Sequence, residues 1–293
     1  MQNGFDAFSP TEIAARVDTA GVAKVRLPLL SLVMLGMLAG AFIALGSLFF
    51  VVVVSDPTLG WAAKRVVGGI AFSLGLILVV VAGAELFTGN NLLAMAWADR
   101  KVSTREVLLN WVVTCASNFV GALVVAALVL LSGHLDGNAG AIGRTYASIA
   151  AAKTALPIAT AFFSGVMCNV LVCLAVWMTL AGRSVMDKAV AVVFPITAFV
   201  AAGFEHSVAN MYFIPLAMMQ QAALGQPVEL AGLFANLLPV IAGNLVGGSV
   251  LVALVYYFIY RWPLRSRPER DAQEFQFDAR GRGVGRAPPY RES

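Results

Sequence analysis

A chain of 293 residues that is 59% hydrophobic and 12% charged, with a mean hydropathy of +0.82, is not composed like a soluble domain, which sits near half apolar and a quarter charged. The length allows one membrane domain and little else. The net charge is +4, and no nucleic-acid partner is expected.

Residues 1–27 are mixed polar and lack the apolar stretch of a signal peptide. Within them Ser9-Pro10-Thr11-Glu12 sets an N-cap, a proline at the first helical position and a carboxylate three residues past the cap. This predicts a short amphipathic helix lying at the membrane interface before the first span.

Six hydrophobic segments follow, at about 28–54, 66–97, 107–131, 157–181, 189–221 and 231–260. Lipid offers no partner to an open backbone, so each is expected to be helical. A straight span needs about 20 residues. The second and fifth segments are longer, and each carries a polar interruption, Glu85-Leu86-Phe87-Thr88-Gly89-Asn90 and Gly203-Phe204-Glu205-His206-Ser207. Both are expected to be broken helices, with the break buried in protein or facing water. Gly36 and Gly40 form a small-residue packing face. Trp61, Trp97, Trp111, Tyr256, Tyr257 and Trp262 fall near span ends and are expected to be interfacial anchors.

Sixteen of the 20 Lys and Arg residues lie on the N-terminus, the loops after segments two and four, and the tail beyond Tyr260. The opposite side holds Lys64, Arg65, Arg144 and Lys153. This bias predicts that both termini are cytoplasmic. The chain therefore divides into a cytoplasmic amphipathic segment (1–27), a six-span channel domain (28–260) and a disordered arginine-rich cytoplasmic tail (261–293). The tail's charge suits anionic lipid headgroups.

The halves repeat. Ala82-Gly83-Ala84-Glu85 to Asn90 aligns with Ala202-Gly203-Phe204-Glu205 to Asn210, and Asn118-Phe119-Val120-Gly121 with Asn244-Leu245-Val246-Gly247. With three spans per copy, the second copy is inverted in the membrane. Such repeats place the permeation site near the midplane, here at residues 85–90 and 203–210.

Among acidic residues only Glu85 and Glu205 lie inside hydrophobic segments, and His206 is the intramembrane histidine. Ionisable groups at that depth are expensive and usually functional. The plain alternative for the two glutamates is structural, each carboxylate accepting backbone N–H bonds from its own broken loop. His206 has no counterpart, because Leu86 stands at the matching position, and this asymmetry argues for a role beyond holding the loop. Asn118 and Asn244 are expected to hydrogen-bond between helices. Cys115, Cys168 and Cys173 lie in apolar runs without metal spacing, so neither a metal nor a cofactor is expected.

These residues, together with Gly68-Gly69-Ile70-Ala71-Phe72-Ser73-Leu74-Gly75-Leu76, resemble the formate/nitrite transporter family from about residue 5 to 260. The resemblance implies an all-α, aquaporin-like protomer of six transmembrane helices. It also implies a homopentamer in the bacterial inner membrane, each subunit with its own pore. It implies a mobile loop carrying Leu86, Phe87 and Thr88. One apolar constriction would be formed by Leu76 with Leu86, and another by Phe72, Val172 and Phe199. His206 would be the central proton donor with Thr88 as hydrogen-bond partner. Glu205, Asn169 and Asn210 would support it, and Lys153 would attract anions at the vestibule. The expected substrate is a small monovalent weak-acid anion, formate first, carried with protons. Nitrite, hydrosulfide and short carboxylates are the alternatives. Paired Asn-Pro-Ala boxes, as in a water or glycerol channel, are absent from the sequence, and so is a second midplane histidine, as in an ammonium channel. An intramembrane hydrolase would need a nucleophile and base on facing helices, whereas Ser207 is merely adjacent to His206. The chain is expected not to be an enzyme.

Overall fold

The structure, a computed structural model, describes residues 8–263. Helix α1 (Pro10–Val25) opens with the expected capping box: the Ser9 hydroxyl accepts from the Glu12 N–H, and the Glu12 carboxylate accepts from the Ser9 N–H at 2.8 Å. Helix α2 (Leu29–Val54) is the first span. Helix α3 (Trp61–Leu78) runs through a π-helical turn, Val79–Gly83, to the first break. A 3₁₀ turn at Gly89–Leu92 then leads into α4 (Leu93–Ala98). Helix α5 (Thr104–Leu131) ends the first half.

The second half repeats this order. Helix α6 (Ala141–Thr154) corresponds to α1, and α7 (Ile158–Thr179) to α2. Helix α8 (Val185–Ala202) stops at the second break, and α9 (Ser207–Ala223) continues beyond it. Helix α10 (Leu230–Leu245) carries on through a π-helical stretch, Val246–Leu254, into α11 (Val255–Tyr260). Six stretches are long and apolar enough to cross a membrane: Leu29–Val54, Trp61–Gly83, Thr104–Leu131, Ile158–Thr179, Val185–Ala202 and Leu230–Tyr260. The expected breaks in segments two and five are present. Helix α6 has no counterpart among the expected elements. Its 14 residues include Arg144, Thr145, Ser148 and Lys153 and lack the length and apolar density that marked the spans.

Glycine sets the helix spacing. A methyl group on Gly40 of α2 would lie 1.9 Å from the Asn118 carbonyl oxygen of α5, and one on Gly121 would lie 1.9 Å from that of Met37. Gly243 and Gly247 of the second half meet the carbonyls of Phe162 and Val166 at 2.1 and 2.2 Å in the same sense. Gly36 and Gly40 therefore pack α2 against α5 inside the protomer, so this face gives no support to an intersubunit contact. The outward faces are apolar, with Leu30, Leu131 and Phe194 each at least 74% exposed, as lipid-facing or subunit-facing helices require.

The anchor expectation holds in part. Trp61, Trp97 and Trp262 are exposed, but Tyr257 is buried, and the Trp111 indole donates to the Asn90 carbonyl at 2.8 Å. An indole nitrogen turned inward to a free carbonyl is a structural clasp and not a headgroup anchor. The arginine-rich tail from 264 onward lies outside the described residues.

Candidate functional site

Each break exposes backbone groups at membrane depth, and one asparagine per break satisfies them. The Asn118 amide donates to the carbonyls of Gly36 at 2.7 Å and Glu85 at 2.9 Å, while its oxygen accepts from the Phe87 N–H at 2.9 Å. Asn244 repeats the pattern with Gly165 at 2.8 Å, Glu205 at 3.0 Å and the Ser207 N–H at 3.0 Å. Both asparagines link helices, as expected, and also clamp the loops. Gly83 and Gly203 turn the chain with φ of +86° and +79°, a left-handed geometry that glycine adopts without a steric penalty.

Among the described residues, neither carboxylate accepts a backbone N–H from its own loop. Glu85 binds the Lys24 ammonium at 2.6 Å and the Asn90 amide at 2.7 Å. Glu205 binds the Lys153 ammonium at 2.8 Å and the Asn210 amide at 2.6 Å. A third asparagine closes each cluster. Asn110 accepts from Asn90 and donates to the Lys24 carbonyl, and Asn236 accepts from Asn210 and donates to the Lys153 carbonyl. The structural alternative for the glutamates thus needs correction in its partners, because the asparagine clamps and neighbouring carbonyls already hold the loop N–H groups. An ammonium compensates a buried carboxylate better than a neutral amide does.

Lys24, Asn110 and Asn236 were missed as site residues. By sequence alone Lys24 is one of the N-terminal basic residues that set the orientation. The signal was present: Lys24 stands 12 residues before Gly36, and Lys153 stands 12 residues before Gly165.

His206 sits where the halves meet. Its Nδ1 accepts the Ala209 N–H at 3.1 Å, capping α9, so the ring proton belongs to Nε2. Nε2 faces the Thr88 hydroxyl of the other break at 3.2 Å, and His206 is 3% exposed. Phe199 stacks on the imidazole at 5.8 Å between centroids, and Phe72 meets it edge-on at 6.4 Å. Asn169 makes no hydrogen bond to the imidazole. It donates to the Thr88 carbonyl at 3.2 Å, the Asn91 side chain at 2.7 Å and the Asn244 carbonyl at 2.7 Å, tying both breaks together. Glu205 binds Lys153, and Asn210 donates to Glu205 and to Asn236.

A cavity of about 400 Å³ opens between α3, α6, α8 and α9 and ends at Phe72, Phe199 and His206. Its charged lining residues are Arg65, Lys153 and Glu205. Leu76, Leu86, Phe87 and Val172 are 1–2% exposed in the packed core beyond it and do not line it. At the opposite mouth a small cavity of about 80 Å³ lies beneath α1, between Lys24 and Asn90. Helix α1 is pinned there by Asp18, which pairs with Lys101 and, at 3.0 Å, with Arg261. Burial pushes the Asp18 carboxyl up, against the pull of those cations.

A family model described as Formate/nitrite transporter matches residues 11–258. The Uncharacterized transporter YrhG of Bacillus subtilis is 41% identical over 89% of this chain and 96% of its own. The Formate channel FocA of Escherichia coli is 37% identical over 88% and 96%. Among solved structures, a pentameric formate channel with formate bound superposes with a TM-score of 0.73 at 35% identity, covering 79% of this chain and 97% of its own. An aquaglyceroporin from Plasmodium falciparum shares the fold alone, at a TM-score of 0.54 and 15% identity. With its aquaporin-like inverted repeat, its two broken helices and these relatives, the chain belongs to the formate/nitrite transporter family, a family of membrane transporters and not of enzymes.

Proposed function

We infer that the chain conducts formate through a pore within each protomer and assembles as a homopentamer in the bacterial cytoplasmic membrane, both termini inside. The basic residues on the termini-bearing side support the orientation. A formate channel of known structure that is pentameric and holds formate supports the assembly and the substrate.

The observation that carries the reading is the His206–Thr88 pair, 3.2 Å apart, joining the two broken helices at the floor of the vestibule. It supplies polar donors between walls that are otherwise apolar. A bare anion crossing Phe72, Phe199, Leu76, Leu86 and Val172 loses its hydration at large cost. Formate with a proton does not. In bulk water formate is almost wholly ionised, its acid having a pKa of about 4, near that of a side-chain carboxyl. Donation from His206 Nε2–H and the Thr88 hydroxyl stabilises the anion at the floor and draws it to the point where a proton can join it. With Nδ1 engaged by Ala209, the neutral ring is a hydrogen-bond donor. It becomes an acid only when Nδ1 also takes a proton, which costs the α9 cap. Proton coupling through His206 thus requires the ring to leave Ala209.

Proteoliposomes loaded at two pH values test this. Formate uptake that rises as external pH falls, together with a particle of pentameric mass after mild extraction, is the expected result. Formate-independent swelling, or a monomer or dimer, would overturn it. Competition by nitrite and hydrosulfide in the same assay ranks the alternative anions.

A further inference from the structure

The vestibule holds two cations and one carboxylate, and the pairing between them decides which cation an entering anion meets. Lys153 is bound to Glu205 at 2.8 Å, so its charge is largely cancelled. Arg65, on the second turn of α3, lines the same cavity, yet among the described residues its guanidinium makes no ion pair and no hydrogen bond. Its guanidinium lies near the Trp61 ring, 5.7 Å from the centroid. It also faces the second break: a methyl group on Gly203 would lie 3.4 Å from Arg65 Nη1. Gly203 takes a left-handed turn at this point, with φ of +79°.

Arg65 also breaks the repeat. It stands 20 residues before Glu85, and the residue 20 before Glu205 is Val185, which is exposed and apolar. Arg65 belongs to the first copy and His206 to the second, so the two asymmetries place both polar side chains at the same cavity.

We propose that Arg65 is the capture residue of the outer mouth, taking a planar oxyanion such as a carboxylate in a two-pronged contact before it descends to His206 and Thr88. This rests on the reading of the pore as a formate pathway. A guanidinium carries five N–H donors in a fixed fork that matches a carboxylate edge-on, and it stays charged at every physiological pH. Apolar walls such as Phe50, Phe72 and Phe199 concentrate its field in the cavity. A spherical anion such as hydrosulfide gains from the charge but not from the fork.

The experiment measures initial influx of formate and of hydrosulfide at low and high ionic strength for wild type, Arg65→Gln and Arg65→Lys, each checked for normal assembly. At low ionic strength Arg65→Gln is expected to raise the KM for formate on the order of tenfold with the maximal rate unchanged, the size typical of electrostatic steering. In about 1 M salt, where the screening length is about 3 Å, the difference shrinks toward nothing. Arg65→Lys is expected to restore the salt dependence but not the preference for formate over hydrosulfide. An Arg65→Gln variant with wild-type KM and salt slope overturns the proposal, as does one that loses maximal rate at unchanged KM. Failure of the wild type to take up formate at all would instead sink the substrate reading and leave the hydrosulfide arm to test Arg65.

Discussion

Replacing Lys153 by alanine isolates what the vestibule ion pair contributes. Its ammonium is 2.8 Å from Glu205 Oε1, with the lysine side chain 16% and the glutamate 6% exposed. Without Lys153 the carboxylate keeps only amide donors, Asn210 at 2.6 Å and Asn236 at 3.3 Å. Breaking a buried pair by deleting one partner costs about 3–5 kcal/mol, and the vestibule's access to water places this case near 3. Removing both charges, by Lys153→Met with Glu205→Gln, leaves no ion behind and should cost about 1 kcal/mol. The double variant should therefore be about 2 kcal/mol more stable than Lys153→Ala alone. The corresponding pair of variants at Lys24 and Glu85 should differ by roughly half as much, because Lys24 is 31% exposed. Heating solubilised protein and following loss of the native particle by size exclusion gives the ranking. If Lys153→Ala melts with the wild type, or the double variant melts below Lys153→Ala, the pair is not the strut described here.

His206→Asn keeps an oxygen able to cap α9, so the fold should survive, while uptake should no longer rise as external pH falls; wild-type pH-driven uptake would show that the proton comes from elsewhere. His206→Ala lacks the cap and should be about 1 kcal/mol less stable than His206→Asn, measured by the same melts. Gly121→Ala drives a methyl group into the Met37 carbonyl at 1.9 Å and should cost at least 1–3 kcal/mol, seen as lost membrane yield or lowered melting. At Asp18 the folded carboxyl sits above its unfolded value. Its contribution to stability is therefore complete below about pH 4 and declines as pH rises through the raised value. Asp18→Asn should flatten that slope, and an unchanged pH profile of melting would refute the assignment.

The membrane class, the six spans and the two breaks were legible in the sequence, because bilayer thickness and backbone hydrogen bonding leave few other arrangements for long apolar runs with polar interruptions. The inverted repeat was legible for the same reason, its polar positions standing out against an apolar background. His206 and Thr88 were named from the sequence, but which ring nitrogen faces Thr88 was decided by the Ala209 N–H, a backbone group three residues on whose direction exists only once α9 has formed. Helix α6 and the role of Lys24 were hidden because a basic amphipathic stretch reads as ordinary interface until folding brings its lysine onto a carboxylate 61 residues away. Sequence supplies the cations, and only the tertiary contacts determine that Lys153 pairs with Glu205 while Arg65, on another helix, lines the same cavity without a carboxylate partner among the described residues.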